Sequence, residues 1–171
     1  MILTEIRGQG VSRYKVSIDM DGVLADFEAK VEEVFGQPID SVPKKDLWSG
    51  ITRYDKKVEP FFENLPVMND AQELVRFVDK NFYEWNILTA SGTTPKNVDE
   101  QKRKWVAKVI SPKVDVIVVR KSAEKANYVA DNTILVDDRM KAIGPWREAG
   151  GIGILHTSAK NSIMELKRFL K

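Results

Sequence analysis

Apolar positions recur along this chain in short blocks, and the spacing within each block predicts an element. Val16 and Ile18 alternate with polar neighbours as a short strand, and residues 23–35 carry the spacing of an amphipathic helix. A helix is expected over 69–80, capped by Asn69 or Asp70, with Leu74, Val75, Phe77 and Val78 on its buried side. A strand follows over 85–89. Pro95 opens the next helix, at a position where its missing N–H costs nothing, and the pattern runs through Trp105 to Val109. Residues 114–119 are an unbroken apolar run, as expected of a strand buried on both faces. A short helix over 122–130 and a strand over 133–136 come next, then a helix over 142–149 interrupted near Pro145 and ended by Gly150. A strand over 152–155 and a helix capped by Ser158 and reaching Leu170 close the series. Residues 1–13 are ambiguous, with Ile2 and Leu3 able to form a short edge strand.

Strands alternating with helices argue for a parallel sheet with right-handed crossovers, a doubly wound (Rossmann-like) α/β fold with helices on both faces. The alternation breaks over 37–66, where Pro38, Pro43, Pro60 and Pro66 are interleaved with Trp48, Tyr54, Phe61 and Phe62. Prolines at this density permit only short helices. The segment reads as a small helical insertion beside the first strand's carboxyl end, within a single domain over 1–171.

Composition narrows the classes. A length of 171 residues suits one domain with a real core. A net charge of +2 gives no field of the kind a dedicated nucleic-acid binder carries. No apolar stretch approaches the length of a membrane span. The start, MILTEIRGQG, lacks the basic opening and apolar run of a secretory signal. Cysteine is absent, which excludes disulfides and thiolate chemistry and fits a cytoplasmic location.

The chemistry gathers where strands are expected to end. In YKVSIDMDGVLADF, Asp19 and Asp21 stand two apart at the end of the first strand, so both carboxylates can reach one site. Two like charges that close need a cation or a shared proton. Gly22 allows a tight turn straight after. The same pattern also fits an acidic loop with no chemistry. NILTAS ends the second strand with the hydroxyl of Thr89, with Ser91 as the fallback. ILVDDR places Asp137 and Asp138 at another strand end, with no nearby His or Cys. Hard oxygen ligands of this kind suit Mg²⁺ and suit zinc poorly.

DMDGVLADF closely resembles the first signature of the haloacid dehalogenase-like (HAD) phosphatases, and within them the small 5'(3')-deoxyribonucleotidases. The resemblance covers most of the chain, and the other three signatures follow in order. It implies that Asp19 is the nucleophile and Asp21 the acid and base. It implies Mg²⁺ held by Asp19, the Asp21 backbone carbonyl and Asp138, with Asp137 orienting water or holding the phosphate lysine. Thr89 and a lysine would steady the transferring oxygens. Lys125 meets the family spacing better than Lys121, although it lies slightly too far upstream, and Lys121 could align instead with an arginine-rich turn of the relatives. The implied substrate is a small phosphomonoester, a nucleoside monophosphate. Phe27 sits where these enzymes place an aromatic against the base. DLWSG brings Trp48 and Ser49 near the substrate, with Leu47 in place of an aromatic, and FFENLP offers Phe61 or Phe62 as another wall. Each aromatic could equally pack the insertion onto the core.

Other residues read as structural: His156, Trp105 and Trp146, with QKRKWVAK as a solvated helix face. A polynucleotide end phosphatase and a catalytically silent nucleotide-binding module are the competing functions. The modest charge counts against a nucleic-acid partner, nothing points to a membrane, and a homodimer is left open.

Overall fold

The computed structural model describes residues 11–170. The expected edge strand at Ile2 and Leu3 lies outside them. Strands β1 (Ser12–Ile18), β2 (Phe82–Ala90), β3 (Val116–Val119), β4 (Thr133–Asp137) and β5 (Ile152–Leu155) form one parallel sheet in the order β3-β2-β1-β4-β5. Ile18 lies opposite Ile87 of β2 and Val136 of β4. Because every strand runs the same way, all the carboxyl ends open on one edge, and β1 and β4 meet at its centre. Side chains alternate across the sheet. Ile87, Ile134 and Val136 pack on the face that carries α3 (Ala71–Asn81), α6 (Ala159–Leu166) and Trp105 and Val106 of α4 (Val98–Val109). Leu88 and Leu135 pack on the other face, against Ala142, Ile143 and Trp146 of α5 (Met140–Glu148). This is the doubly wound α/β arrangement.

Several boundaries depart from the sequence pattern, each for a local reason. Helix α1 spans Phe27–Phe35 and starts four residues later than its periodicity suggests. The carbonyl of Met20 takes the N–H groups of Val23, Leu24 and Ala25 in a turn, and the Asp26 carboxylate caps the helix by accepting from Ala29 N at 2.9 Å. The 37–66 segment contains a helix of 14 residues, α2 (Lys44–Lys57), longer than its prolines seemed to allow. All four prolines fall outside it, with Pro43 at its N-cap, so the window between them is free to propagate. Strand β3 is not buried on both faces: among the described residues it is an edge strand, and Val116, Ile117 and Val118 are only half-buried. Helix α5 runs through Pro145 without a break. Asp70 precedes α3 but makes no cap bond to it; its carboxylate accepts from Ala159 N at 2.7 Å and ties α3 to the start of α6. Ser158 does cap α6, accepting from Asn161 N at 3.1 Å.

Among the described residues, no helix is long and apolar enough to cross a membrane.

Candidate active site

Asp19 follows directly on β1, its backbone N–H bonded to Val136 O at 2.9 Å, and Asp137 is the last residue of β4. The two adjacent central strands thereby deliver acids from distant parts of the chain to one point. Asp19, Asp137 and Asp138 each offer a carboxylate oxygen, and these oxygens all lie within 4.8 Å of one another. Lys125 is held on a 3₁₀ helix, Ser122–Tyr128, that follows β3. Its buried ammonium donates to Asp19 Oδ1 at 2.7 Å and to Asp137 Oδ2 at 2.6 Å. Lys121 lies outside this cluster, with an exposed side chain.

Packing three carboxylates this closely changes their ionisation. Burial, then the charge of Asp19, raises Asp137 to about 6. Burial, then the charges of Asp19 and Asp137, raises Asp138 to about 7. Burial works against the charge on Lys125, but Asp19 and Asp137 outweigh it, and the net shift is upward. A divalent cation would relieve the same repulsion. The geometry accommodates one: the Oδ1 atoms of Asp138 and Asp21 are both buried without a hydrogen-bond partner. Gly22, at φ +81°, leaves room for the Asp138 carboxylate, into which any side chain at that position would run. All-oxygen donors without His or Cys match Mg²⁺.

The residue that sequence reasoning missed is Lys102. It sits within QKRKWVAK, read above as a solvated face, yet it is 0% exposed. Its ammonium donates to Asp21 Oδ2 at 2.5 Å, Thr89 Oγ1 at 2.9 Å and Ala90 O at 2.7 Å. The signal was present in the phase of α4: Val98, Lys102, Trp105 and Val109 follow each other at steps of four, three and four, so Lys102 belongs to the apolar stripe. A lysine there must reach a partner, because an unpaired buried ammonium is costly. Burial raises the Asp21 carboxyl above its ordinary range, Lys102 opposes this, and the charge of Asp19 adds to it. Thr89, fully buried, accepts from Lys102 and keeps its own hydroxyl hydrogen for another acceptor. Ser91 Oγ is turned to backbone carbonyls, those of Gly92 at 3.0 Å and Val119 at 3.4 Å.

Aromatic side chains stand beside the acids. The Phe27 ring stacks on Phe62 at 6.0 Å and 23°, and lies 6.2 Å from Trp48. The Phe62 ring in turn covers the Lys102 ammonium at 5.3 Å. Phe61 and Phe62 are buried, whereas Trp48 is 36% exposed and Phe27 half-buried. Ser49 Oγ donates within α2 to Asp46 O at 3.2 Å, and Leu47 points into the core. His156 is buried with Nδ1 2.7 Å from Ser162 Oγ, and burial lowers its pKa. A cleft of about 530 Å³ bordered by Lys15, Asn86 and Asp115 contains none of these groups. Its Lys15 pairs with Glu84, so the reactive chemistry belongs to the acid-bearing edge.

No protein-family model matches the chain. Sequence comparison finds proteins from two strains of Staphylococcus epidermidis, each named a "putative 5'(3')-deoxyribonucleotidase". Each is 30% identical over 166 residues, covering 88% of this chain and 87% of the relative. The chain belongs to the HAD-like phosphatase superfamily. Solved HAD structures share its fold. A HAD-like hydrolase from Xanthomonas campestris superposes with a TM-score of 0.59 at 13% identity, over 95% of this chain and 94% of its own. The HAD hydrolase YfnB of Bacillus subtilis, solved bound to magnesium, gives 0.56 at 12% identity, over 94% and 99%. Within this HAD-like chain, the acids gather at the carboxyl ends of β1 and β4, and Lys102 adds a second ammonium beside them.

Proposed function

We propose that this HAD-like chain is a Mg²⁺-dependent phosphatase that hydrolyses nucleoside monophosphates, as a 5'(3')-deoxyribonucleotidase would. The observation that carries the reading is the convergence of Asp19, Asp21 and Asp138 with two buried ammonium groups, beside an aromatic wall of Phe27, Trp48 and Phe62.

In this reading Asp19 attacks phosphorus and forms an aspartyl-phosphate. Asp21, its carboxyl raised by burial, protonates the leaving oxygen and then takes a proton from the water that hydrolyses the intermediate. Thr89 serves the phosphoryl oxygens from one side and Lys125 from the other, since phosphoryl transfer depends chiefly on position and charge. Lys102, its three N–H groups spent on Asp21, Thr89 and Ala90 O, holds Asp21 and Thr89 in place. Lys125 also keeps Asp19 aimed. Asp19, Asp138 and the Asp21 backbone carbonyl would hold Mg²⁺, with Asp137 fixing Lys125 behind them. The ion, when bound, offsets the negative charge of nucleophile and phosphate. Phe27 and Trp48 offer a face to a nucleobase, an interaction worth about 1–3 kcal/mol; Phe62, buried behind them, backs the wall, and Ser49 would turn from its helix to take part.

The magnesium in the Bacillus subtilis structure and the name of the Staphylococcus relatives support this reading. Against a polynucleotide end phosphatase, the QKRKWVAK stretch has no free cationic face to offer at Arg103 and Lys104, which pair with Asp99 and Glu100. Phosphate release in Mg²⁺ from a panel of mono- and deoxymononucleotides, alongside a 3'-phosphorylated oligonucleotide, tests the proposal. Turnover of the oligonucleotide in preference to every mononucleotide refutes it.

A further inference from the structure

Gln101, next to Lys102 on α4, is 6% exposed and bonded at both ends of its amide. Oε1 accepts from Phe62 N at 2.8 Å, and Nε2 donates to Asp55 Oδ1 at 2.7 Å. The same Asp55 oxygen accepts from Phe61 N at 2.9 Å. One turn further on, Trp105 Nε1 donates to Leu65 O at 2.8 Å. The far end of this segment is fastened to the loop after β1, through Asp26 N to Pro66 O and Met68 N to Leu24 O, each at 2.8 Å. The Phe62 ring thus has a set distance from both Lys102 and Phe27, and Gln101 is the side chain that reads the Phe62 backbone from the helix carrying Lys102.

We propose that Gln101 is a positioning residue that sets the gap between Lys102, which holds Asp21 and Thr89, and the aromatic wall, and so favours monoesters that carry a base. An apolar side chain at 101 would fill the space but leave the Phe62 N–H buried and unpaired, a loss on the scale of tenfold in an equilibrium, roughly. The inference rests on the nucleotide reading above, and the experiment separates the two.

The test compares kcat and KM for dTMP and for glycerol 3-phosphate, a monoester without a ring, in the wild type, Q101L, Q101E and D55N. Q101L is expected to lower kcat/KM on dTMP by about tenfold more than on glycerol 3-phosphate, chiefly through KM. Q101E is isosteric and sets two carboxylates against each other, so it loses the same preference. D55N keeps the oxygen that accepts from Gln101 Nε2 and from Phe61 N, and is expected to hold the preference to within about threefold. Equal losses on both substrates, no loss on dTMP, or loss of the preference in D55N would each overturn the proposal. Hydrogen exchange of the Phe62 amide needs no substrate: it should accelerate in Q101L, and unchanged protection also overturns the proposal. If the wild type hydrolyses glycerol 3-phosphate but no nucleotide, the nucleotide reading fails separately, and Gln101 is judged on this exchange alone.

Discussion

Replacing Lys102 with methionine keeps the length of the side chain and removes its charge. Three bonds disappear together, to Asp21 Oδ2, Thr89 Oγ1 and Ala90 O. Two effects on stability oppose each other. Taking one partner from a buried ion pair costs about 3–5 kcal/mol, but the penalty of burying the ammonium is also removed. Asp21 is 26% exposed at its side chain and can take a proton, so the net loss should fall near 1–3 kcal/mol, roughly, and the protein should fold. Catalysis suffers more. Loss of the group that holds both Asp21 and Thr89 should cost about 10²–10³ in kcat. The pH profile moves as well: Lys102 holds the Asp21 carboxyl down against burial, so its removal shifts the limb set by Asp21 to higher pH. Phosphate release from a nucleoside monophosphate, measured across pH for K102M and for R103M, reads all of this. Arg103 is the neighbouring cation, half exposed and paired with Asp99, and its loss should cost less than about 1 kcal/mol and little activity. K102M retaining activity within about threefold of wild type, or losing no more than R103M, would refute the role assigned to Lys102.

The remaining expectations follow from the same cluster. D19N should abolish turnover while circular dichroism reports an intact fold, and residual activity near wild type would remove Asp19 from the nucleophile's place. K125A should lose far more activity than K121A, because the first empties a buried bridge between Asp19 and Asp137 and the second touches solvent. Asp137 and Asp138 are raised to about 6 and about 7, so the native chain holds more protons than the unfolded chain from the ordinary carboxylate range up to those values. Their burial therefore lowers metal-free stability as pH rises through that window. Thermal melts should show Mg²⁺ raising the midpoint more at about pH 8 than at about pH 5.5, and an equal or reversed effect would separate these acids from cation binding.

Much of this was legible in the sequence because it depends on strand ends. Asp19, Thr89 and Asp137 each close an apolar run, and a parallel sheet must bring such ends to one edge. Lys125 was reachable only by comparing spacings with a known signature. Lys102 was misread because its neighbours are charged: Arg103 and Lys104 do face water, and composition alone hid the stripe on which Lys102 lies. Proline count misjudged α2, since what limits a helix is the longest window between prolines and not their density. The apolar run of β3 could not reveal that it ends up at the sheet's margin, because strand order is a property of the whole chain. The hydrogen bonds of Gln101 and Asp70 join segments far apart in sequence, and no local pattern foretells them.

The acids and the lysine that bridges them are mounted on supports of unequal security. Asp19 follows the central strand and Asp137 ends the strand beside it, whereas Lys125 hangs from a short helix behind β3, which among the described residues has a neighbour on one side only. Warming frays margins before centres. The capacity to hold a cation should then outlast the capacity to turn over substrate, and heat would silence this enzyme some degrees before it melts it.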